Sequence, residues 1–253
     1  MSKNNSALVE GEYESYKVEI NDCQGNNVRF GKGDYIPITS YVDIPKKEKV
    51  YLAIKRIVDI LGSLCVLLFF PLIILGVKIG FLATGNKDSI WYKQLRLGKD
   101  GRVFTIYKFQ TMVTNGDEVL EAYFNKFPEK RVEYDKNKKL VDDPRVTTVG
   151  KILRKTSIDE FPQFINVFKG DMSLIGNRPY TLDEVEKIGD NLGYIVATTP
   201  GISGLWQTSG RSNISFQERV EIEARYSKEC SLWMDVKLFL KTFLIVFKQE
   251  GAV

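Results

Sequence analysis

Ile60–Val77, ILGSLCVLLFFPLIILGV, is an uninterrupted uncharged run of the length that spans a bilayer, and its reading decides the architecture of the chain. It begins too far from the N-terminus for a secretory signal and lacks a small-residue cleavage site, so it is expected to persist in the working protein. Cations flank it on both sides, Lys55 and Arg56 before and Lys78, Lys87 and Lys93 after, so the positive-inside rule assigns no orientation to a straight span. Pro71, near the middle, removes a backbone donor and crowds the carbonyl of Leu67 one turn back. A helix broken there enters and leaves by one face. A re-entrant helix-break-helix over residues 49–85 is therefore favoured over a bitopic anchor, and both over a buried helix, because the run has no polar face.

Outward from this segment the chain divides plainly. Residues 1–48 are polar, with Asn, Gly and Lys clusters, and read as an extension or small appended element. Residues 86–253 form the cytosol-facing domain. Within it SIWYKQLRLGKDGRVFTIYKFQTM (89–112) reads as two strands around the polar turn Gly98–Gly101, with Lys108 on or beside the second strand. Glu118–Tyr134 has helical spacing, with Asp142-Asp143-Pro144 as the breaker. Leu232–Phe247, apolar around most of its circumference but carrying Asp235, Lys237 and Lys241, reads as an interfacial helix or a core helix. The expected class is α/β with mostly helices, with interfacial amphipathic helices and a small β element.

Composition restricts the chemistry. The 253 residues contain no histidine, which excludes Ser-His-Asp hydrolysis, histidine phosphotransfer and His-ligated zinc. Carboxylates, lysines and arginines must carry any catalysis. Three separated cysteines indicate neither a disulfide framework nor a CxxC metal site, and a net charge of +4 is compatible with anionic partners without choosing among them. Neither GxGxxG nor GxxxxGK[ST] is present.

The stretch that carries chemistry is KTSIDEFPQFINVFKGDMSLIGNRP (155–179). By pattern alone Ser157–Glu160 is a capping box, and adjacent acids in a first helical turn are ordinarily structural. The functional reading of Asp159 and Glu160 rests on their neighbours. Arg154 and Lys155 lie just upstream, a helix start offers free amides to phosphate, and one carboxylate can hold Mg2+ while the other attacks phosphorus. Arg145, Arg178 and Arg211 lie in turns where backbone amides can join them around an anion, although a lone arginine in a turn is usually a solvated surface residue. Gly201–Trp206, after Pro200, reads as a loop over a ligand or a tight packed corner.

Several blocks in order carry a resemblance: K-R-x-V-D (55–59) before the apolar run with its central proline, YKFQTM (107–112), DDPRVTTVGKILRKTSIDEFPQFINVFKGDMSLIGNRP (142–179), TPGISGLWQTSGRS (199–212) and SLWMDVKLFLKT (231–242). Together they resemble the bacterial sugar transferase family, the monotopic polyprenyl-phosphate phosphoglycosyl transferases, from about Tyr51 to Val253. The resemblance implies transfer of a sugar 1-phosphate from a UDP-sugar to undecaprenyl phosphate with release of UMP, the first membrane step of exopolysaccharide, O-antigen or capsule assembly. It implies that Asp159 is the nucleophile and that Glu160 helps bind Mg2+ or position the acceptor. Arg154, Arg178 and Arg211 would contact phosphate and nucleotide, with Lys108 and Arg145 behind them.

The implied setting is the cytosolic face of a bacterial inner membrane. The implied partners are the UDP-sugar, undecaprenyl phosphate and membrane lipids, without nucleic acid, and self-association stays open. The C-terminal blocks are similar to members that transfer galactose or glucose 1-phosphate. Two positions depart from the family pattern: Asn177 stands where proline is usual in G-P-R-P, and Gln110 where arginine is usual in YKF-R-TM. A membrane scaffold that uses its arginines on anionic lipid and a UDP-releasing glycosyltransferase are the rival readings.

Overall fold

The computed structural model describes residues 18–21, 27–38, 47–137, 140, 142–209 and 214–247. In chain order these form strands β1 (Val18–Asn21) and β2 (Asn27–Phe30), helix α1 (Lys49–Ala83), strands β3 (Trp91–Leu97) and β4 (Val103–Phe109), and helices α2 (Gly116–Lys126), α3 (Pro128–Asn137), α4 (Thr148–Lys155) and α5 (Gln163–Lys169). Strand β5 (Ser173–Ile175), short helices α6 (Val185–Ile188) and α7 (Leu192–Val196), strand β6 (Gly201–Ser203), and helices α8 (Phe216–Glu229) and α9 (Leu232–Phe247) follow. Helices predominate over small sheets, as the sequence led us to expect. Among the described residues each sheet has two strands, antiparallel for β1–β2 and β3–β4 and parallel for β5–β6.

The hairpin forms where alternating aromatic and β-branched residues flank a turn whose Asp100 and Gly101 have φ of 56° and 80°. Its register pairs Tyr92 with Lys108, Gln94 with Ile106 and Arg96 with Phe104, so these six side chains share one face. Residues 31–38 join it from the N-terminal side: Gly33 N–H donates to Val103 O, Val103 N–H to Asp34 O and Ile36 N–H to Gly101 O. Ile36 is buried among Leu95, Leu97, Val103, Tyr180 and Val220. The end of the polar extension thus completes the core of the following domain. The expected helix over Glu118–Tyr134 is two helices, interrupted at Pro128 ahead of the Asp142–Pro144 breaker, because proline suits the first position of a helix and no interior one.

Helix α1 is 35 residues long, roughly 52 Å at 1.5 Å per residue, and it continues through Pro71. The break expected at that residue is therefore absent as an interruption of the helix. Proline forfeits one i→i−4 bond, while side chains on both sides of it, Phe70 before and Val77 and Phe81 after, are buried in one cluster with Ile90, Phe109, Val149 and Leu153. That cluster holds the two halves of the helix against one surface. The opposite side of α1 is apolar and exposed, as at Leu68, Phe69, Leu72 and Leu82, and α9 exposes Trp233, Leu240, Phe243 and Leu244.

The root of α1 is fastened by charge. Arg56 donates to the carbonyls of Val167 (2.6 Å) and Phe168 (2.7 Å), the last turn of α5, whose chain then reverses at Gly170 with φ 90°. Asp59, buried to 5% exposure, accepts from Leu174 N–H (2.8 Å) and Ser173 Oγ (3.0 Å) at β5. Lys55 bonds Ile175 O and Asp235 of α9, both at 2.7 Å, and Asp235 also accepts from the hydroxyls of Tyr51 and Tyr226. Sequence position gives no hint of this, since Lys55 and Asp235 are 180 residues apart.

Asp59→Ala leaves the Ser173 hydroxyl and Leu174 N–H without their acceptor. We expect a loss of about 1–3 kcal/mol, read as a lower melting temperature in detergent and as faster proteolysis between α1 and β5; an unchanged melt would show that Asp59 does not fasten the helix.

Candidate functional site

Asp159 and Glu160 occupy a single 3₁₀ turn, Ile158–Glu160, between α4 and α5. The capping box is not formed. Ser157 sits in the left-handed region at φ 56° with no side-chain cap bond, and the Glu160 carboxylate accepts from Lys108 Nζ of β4 at 2.9 Å. The bland reading of the acidic pair required Glu160 to reach back toward Ser157, and that bond is replaced by one to a cation 52 residues away. The turn is held from behind by Ile158 and Phe161, which pack into the apolar cluster of α1, and from the front by the hairpin.

The two carboxylates differ electrostatically. Burial first, and then the charge of Glu160, push the Asp159 carboxyl up to about 6, against the pull of Lys108 and Arg154. For Glu160, partial burial opposes ionisation but Lys108, by charge and hydrogen bond, with help from Arg178 and Gln163, overcomes it and holds the group below its usual range. Glu160 is thus the fixed anion, and Asp159 titrates close to physiological pH.

Beside the pair lies a small open depression lined by Arg96, Ile106, Lys108, Glu160, Gln163, Arg178, Pro179, Gly201, Ile202 and Gln207. Two loops close its far wall at a backbone approach that only glycine allows: a Cβ on Gly201 would lie 2.1 Å from Gly176 N, and one on Gly204 2.0 Å from Gly176 O. Gly201–Trp206 is therefore a packed corner, and Gly201 and Ile202 also line the depression. Arg178 follows from this corner; its N–H donates to Glu223 Oε1 at 2.8 Å and its guanidinium lies 5.5 Å from the centre of the Trp206 ring. Glu223 is buried, and burial pushes its carboxyl up to about 7.

The expected site residues thus separate into groups. Lys108, Glu160 and Arg178 line the depression, and Asp159 adjoins them. Arg154, in the last turn of α4, donates from Nε to Thr111 Oγ1 at 3.0 Å and adds positive potential at Asp159. Arg145 is engaged by Asp143, at 2.9 Å through Nε and 2.6 Å through Nη2, and does not line the depression. Arg211 lies outside the described residues.

The two departures from the family pattern have local partners. Asn177, buried, donates to Ser227 Oγ (2.8 Å) and Ile195 O (3.2 Å) and so ties the loop to α8 and α7, and Gln110 donates to Met112 O at 2.7 Å. Sequence reasoning missed Arg96, Gln163, Gln207 and Glu223. For Arg96 a signal existed, because the hairpin register puts it on the same face as Lys108.

Residues 50–249 match the bacterial sugar transferase family. The chain belongs to that family. Its relatives include the undecaprenyl-phosphate galactose phosphotransferase of Salmonella typhimurium, 40% identical over 200 residues that cover 79% of this chain and 41% of the relative. The exopolysaccharide production protein ExoY of Rhizobium meliloti is 39% identical over 199 residues, 78% of this chain and 87% of the relative. The UDP-glucose:undecaprenyl-phosphate glucose-1-phosphate transferase of Klebsiella pneumoniae is 32% identical over 223 residues, 84% of this chain and 43% of the relative. The chain thus spans less than half the length of the Salmonella and Klebsiella proteins and most of ExoY.

The folded pKa of Asp159 near 6 lies above its unfolded value of 3.8, so protonation favours the folded chain. That contribution is complete below the unfolded value and is lost as pH rises through about 6. Asp159→Asn should therefore melt a few degrees above the parent at pH 8 without divalent cation, with the gap closing by pH 4; a gap independent of pH would contradict the assignment.

Proposed function

We propose that this chain transfers a hexose 1-phosphate from a UDP-sugar to undecaprenyl phosphate in exopolysaccharide or capsule assembly, through a covalent intermediate on Asp159. The observation that carries the reading is the division of labour within the dyad: Glu160 is clamped by Lys108, while Asp159 is left unclamped beside a cation-lined depression.

In the proposed course the donor diphosphate enters the depression, and the Asp159 carboxylate attacks the β-phosphorus. A bond forms from the carboxylate oxygen to the β-phosphorus as the bond from that phosphorus to the bridging oxygen breaks, and UMP leaves with the bridging oxygen and its electron pair. Arg178 and Lys108 offset the charge that accumulates on the leaving oxygens. A phosphate oxygen of the lipid then attacks the same phosphorus, the acyl phosphate bond breaks, and the Asp159 carboxylate is regenerated with undecaprenyl diphospho-sugar as product.

Asp159 and Glu160 are the residues that would hold Mg2+. Two adjacent carboxylates whose repulsion helps raise Asp159 suit a divalent cation, and because no cluster of three acidic or sulfur ligands occurs among the described residues, substrate phosphates would complete its shell. Bound there, the ion supplies charge neutralisation of the diphosphate.

The galactose-named relative is more similar than the glucose-named one, which favours UDP-galactose over UDP-glucose as donor. Helix α1, with its apolar exposed side, and α9, with its own, are proposed to seat the domain on the cytosolic face of the inner membrane; a bend at Pro71 that keeps the helix continuous would let α1 dip into one leaflet and return. The dyad would then stand at the level of the lipid phosphate.

Purified protein given undecaprenyl phosphate, Mg2+ and single UDP-sugars should release UMP with one hexose donor, and Asp159→Asn should lose this by more than about a thousandfold while still inserting into membranes. Release of UDP would instead indicate an ordinary glycosyltransferase, and activity in the Asn variant would remove Asp159 as nucleophile. Cysteines placed at Val50 and Asn86 should both react with an impermeant thiol reagent from the cytosolic side only; labelling from opposite sides would contradict the re-entrant arrangement.

A further inference from the structure

Arg96 has no assigned role, and its surroundings are unusual for a structural arginine. It lies on β3, is only 9% exposed, and lines the depression beside Lys108 and Arg178. Its Nη1 donates to Pro179 O at 3.0 Å and its Nη2 to Gln94 Oε1 at 2.6 Å, both neutral acceptors. Its Nε is buried and has no hydrogen-bond partner, and the Nε of Arg178 is in the same state. Two guanidinium groups with buried, unpartnered Nε donors, on arginines that line one depression, form an arrangement that desolvation and like charge penalise and that an anion in the depression would offset. The charge of Arg178 acts on Arg96 as well. Burial and then this like charge bring Arg96 down to about 10, opposed by Glu184, Tyr92 and Asp183; Glu184 is itself bonded to Arg219.

We propose that Arg96 and Arg178 together form a phosphoryl-oxyanion site whose ligand is the diphosphate of a water-borne nucleotide. The pairing of two planar donor forks suits the several oxygens of a diphosphate better than a single carboxylate does. The lining identifies the source: no residue of α1 or α9, the helices with exposed apolar sides, contributes to the depression, whose other walls include the side-chain amides of Gln163 and Gln207. Its apolar lining is Ile106, Pro179 and Ile202, none of them from those two helices. Arg96 thereby becomes a binding residue for the donor rather than for the lipid. The inference rests on the proposed reaction only for the identity of the nucleotide; the anion site itself stands on the two arginines.

The alternative role for Arg96 is to brace the Pro179 loop through its Nη bonds, and the test separates the two. Titration calorimetry on the full chain in nanodiscs would use inorganic pyrophosphate, UDP-galactose and undecaprenyl phosphate as probes of the parent, Arg96→Gln and Arg96→Lys. Arg96→Gln should weaken pyrophosphate and UDP-galactose about tenfold while leaving the lipid within about twofold, and Arg96→Lys, which keeps charge but loses the fork, should weaken the first two about threefold.

The site is overturned if the parent does not bind pyrophosphate, if folded Arg96→Gln keeps both affinities, or if the loss falls on the lipid. Should Arg96→Gln not fold, Arg96→Lys with parental pyrophosphate and UDP-galactose affinity overturns it as well. UMP release by the parent combined with unaltered affinities in the variants would leave the reaction standing and remove the site. Weakened pyrophosphate binding in a chain that turns over no UDP-sugar would leave the site standing and remove the reaction.

Discussion

The rest of the structure depends on the charged fastening between the root of the apolar helix and the segment that carries the dyad. Arg56 satisfies the carbonyls that end α5, and the dyad turn lies immediately before the start of the same helix. Ile158 and Phe161, which directly flank the dyad, pack into the apolar cluster farther along α1. The seven-residue helix α5 is thus gripped at its C-terminal end by the polar root of α1 and before its N-terminal end by the apolar length of α1. Under the proposed reaction, a helix whose exposed apolar side would meet lipid thereby fixes the height of a carboxylate that would meet a lipid phosphate. Asp59 and Lys55 extend the same fastening to β5 and α9, so the elements with exposed apolar sides are referred to one frame.

Within that frame the dyad is electrostatically asymmetric by construction. Lys108 reaches Glu160 because β4 runs antiparallel to β3 and presents Lys108 beside Tyr92, on the face that also carries Arg96. One carboxylate is stabilised as an anion, and its charge, with burial, disfavours ionisation of the other. Such an arrangement costs stability near neutral pH, and a divalent cation bound between the carboxylates would relieve it; a structural capping box carries no such penalty.

Local features were legible in the sequence and long-range ones were not. The hairpin, the position of Lys108, the α9 helix and the apolar length of α1 follow from periodicity and turn residues, which act over a few positions. The family blocks brought Asp159 and Glu160 forward when capping statistics favoured a structural role. Three things escaped. The left-handed Ser157 that dissolves the capping box is a non-glycine residue at positive φ, for which sequence offers no marker. The continuity of α1 through Pro71 reflects tertiary contacts from Phe70, Val77 and Phe81 that outweigh one lost hydrogen bond. Burial of Ile36 in the main core reflects edge pairing of residues 31–38 with β4, which a polar composition conceals.

The central claim is that Asp159 displaces UMP before the lipid is needed, and isotope exchange tests it most directly. Labelled UMP incubated with unlabelled UDP-galactose, Mg2+ and enzyme, in the absence of undecaprenyl phosphate, should return label to the UDP-sugar, because a phosphosugar held on Asp159 can be recaptured by UMP. The exchange should vanish in Asp159→Asn. Exchange that starts only when the lipid is added would contradict a covalent intermediate and place both substrates in one direct displacement.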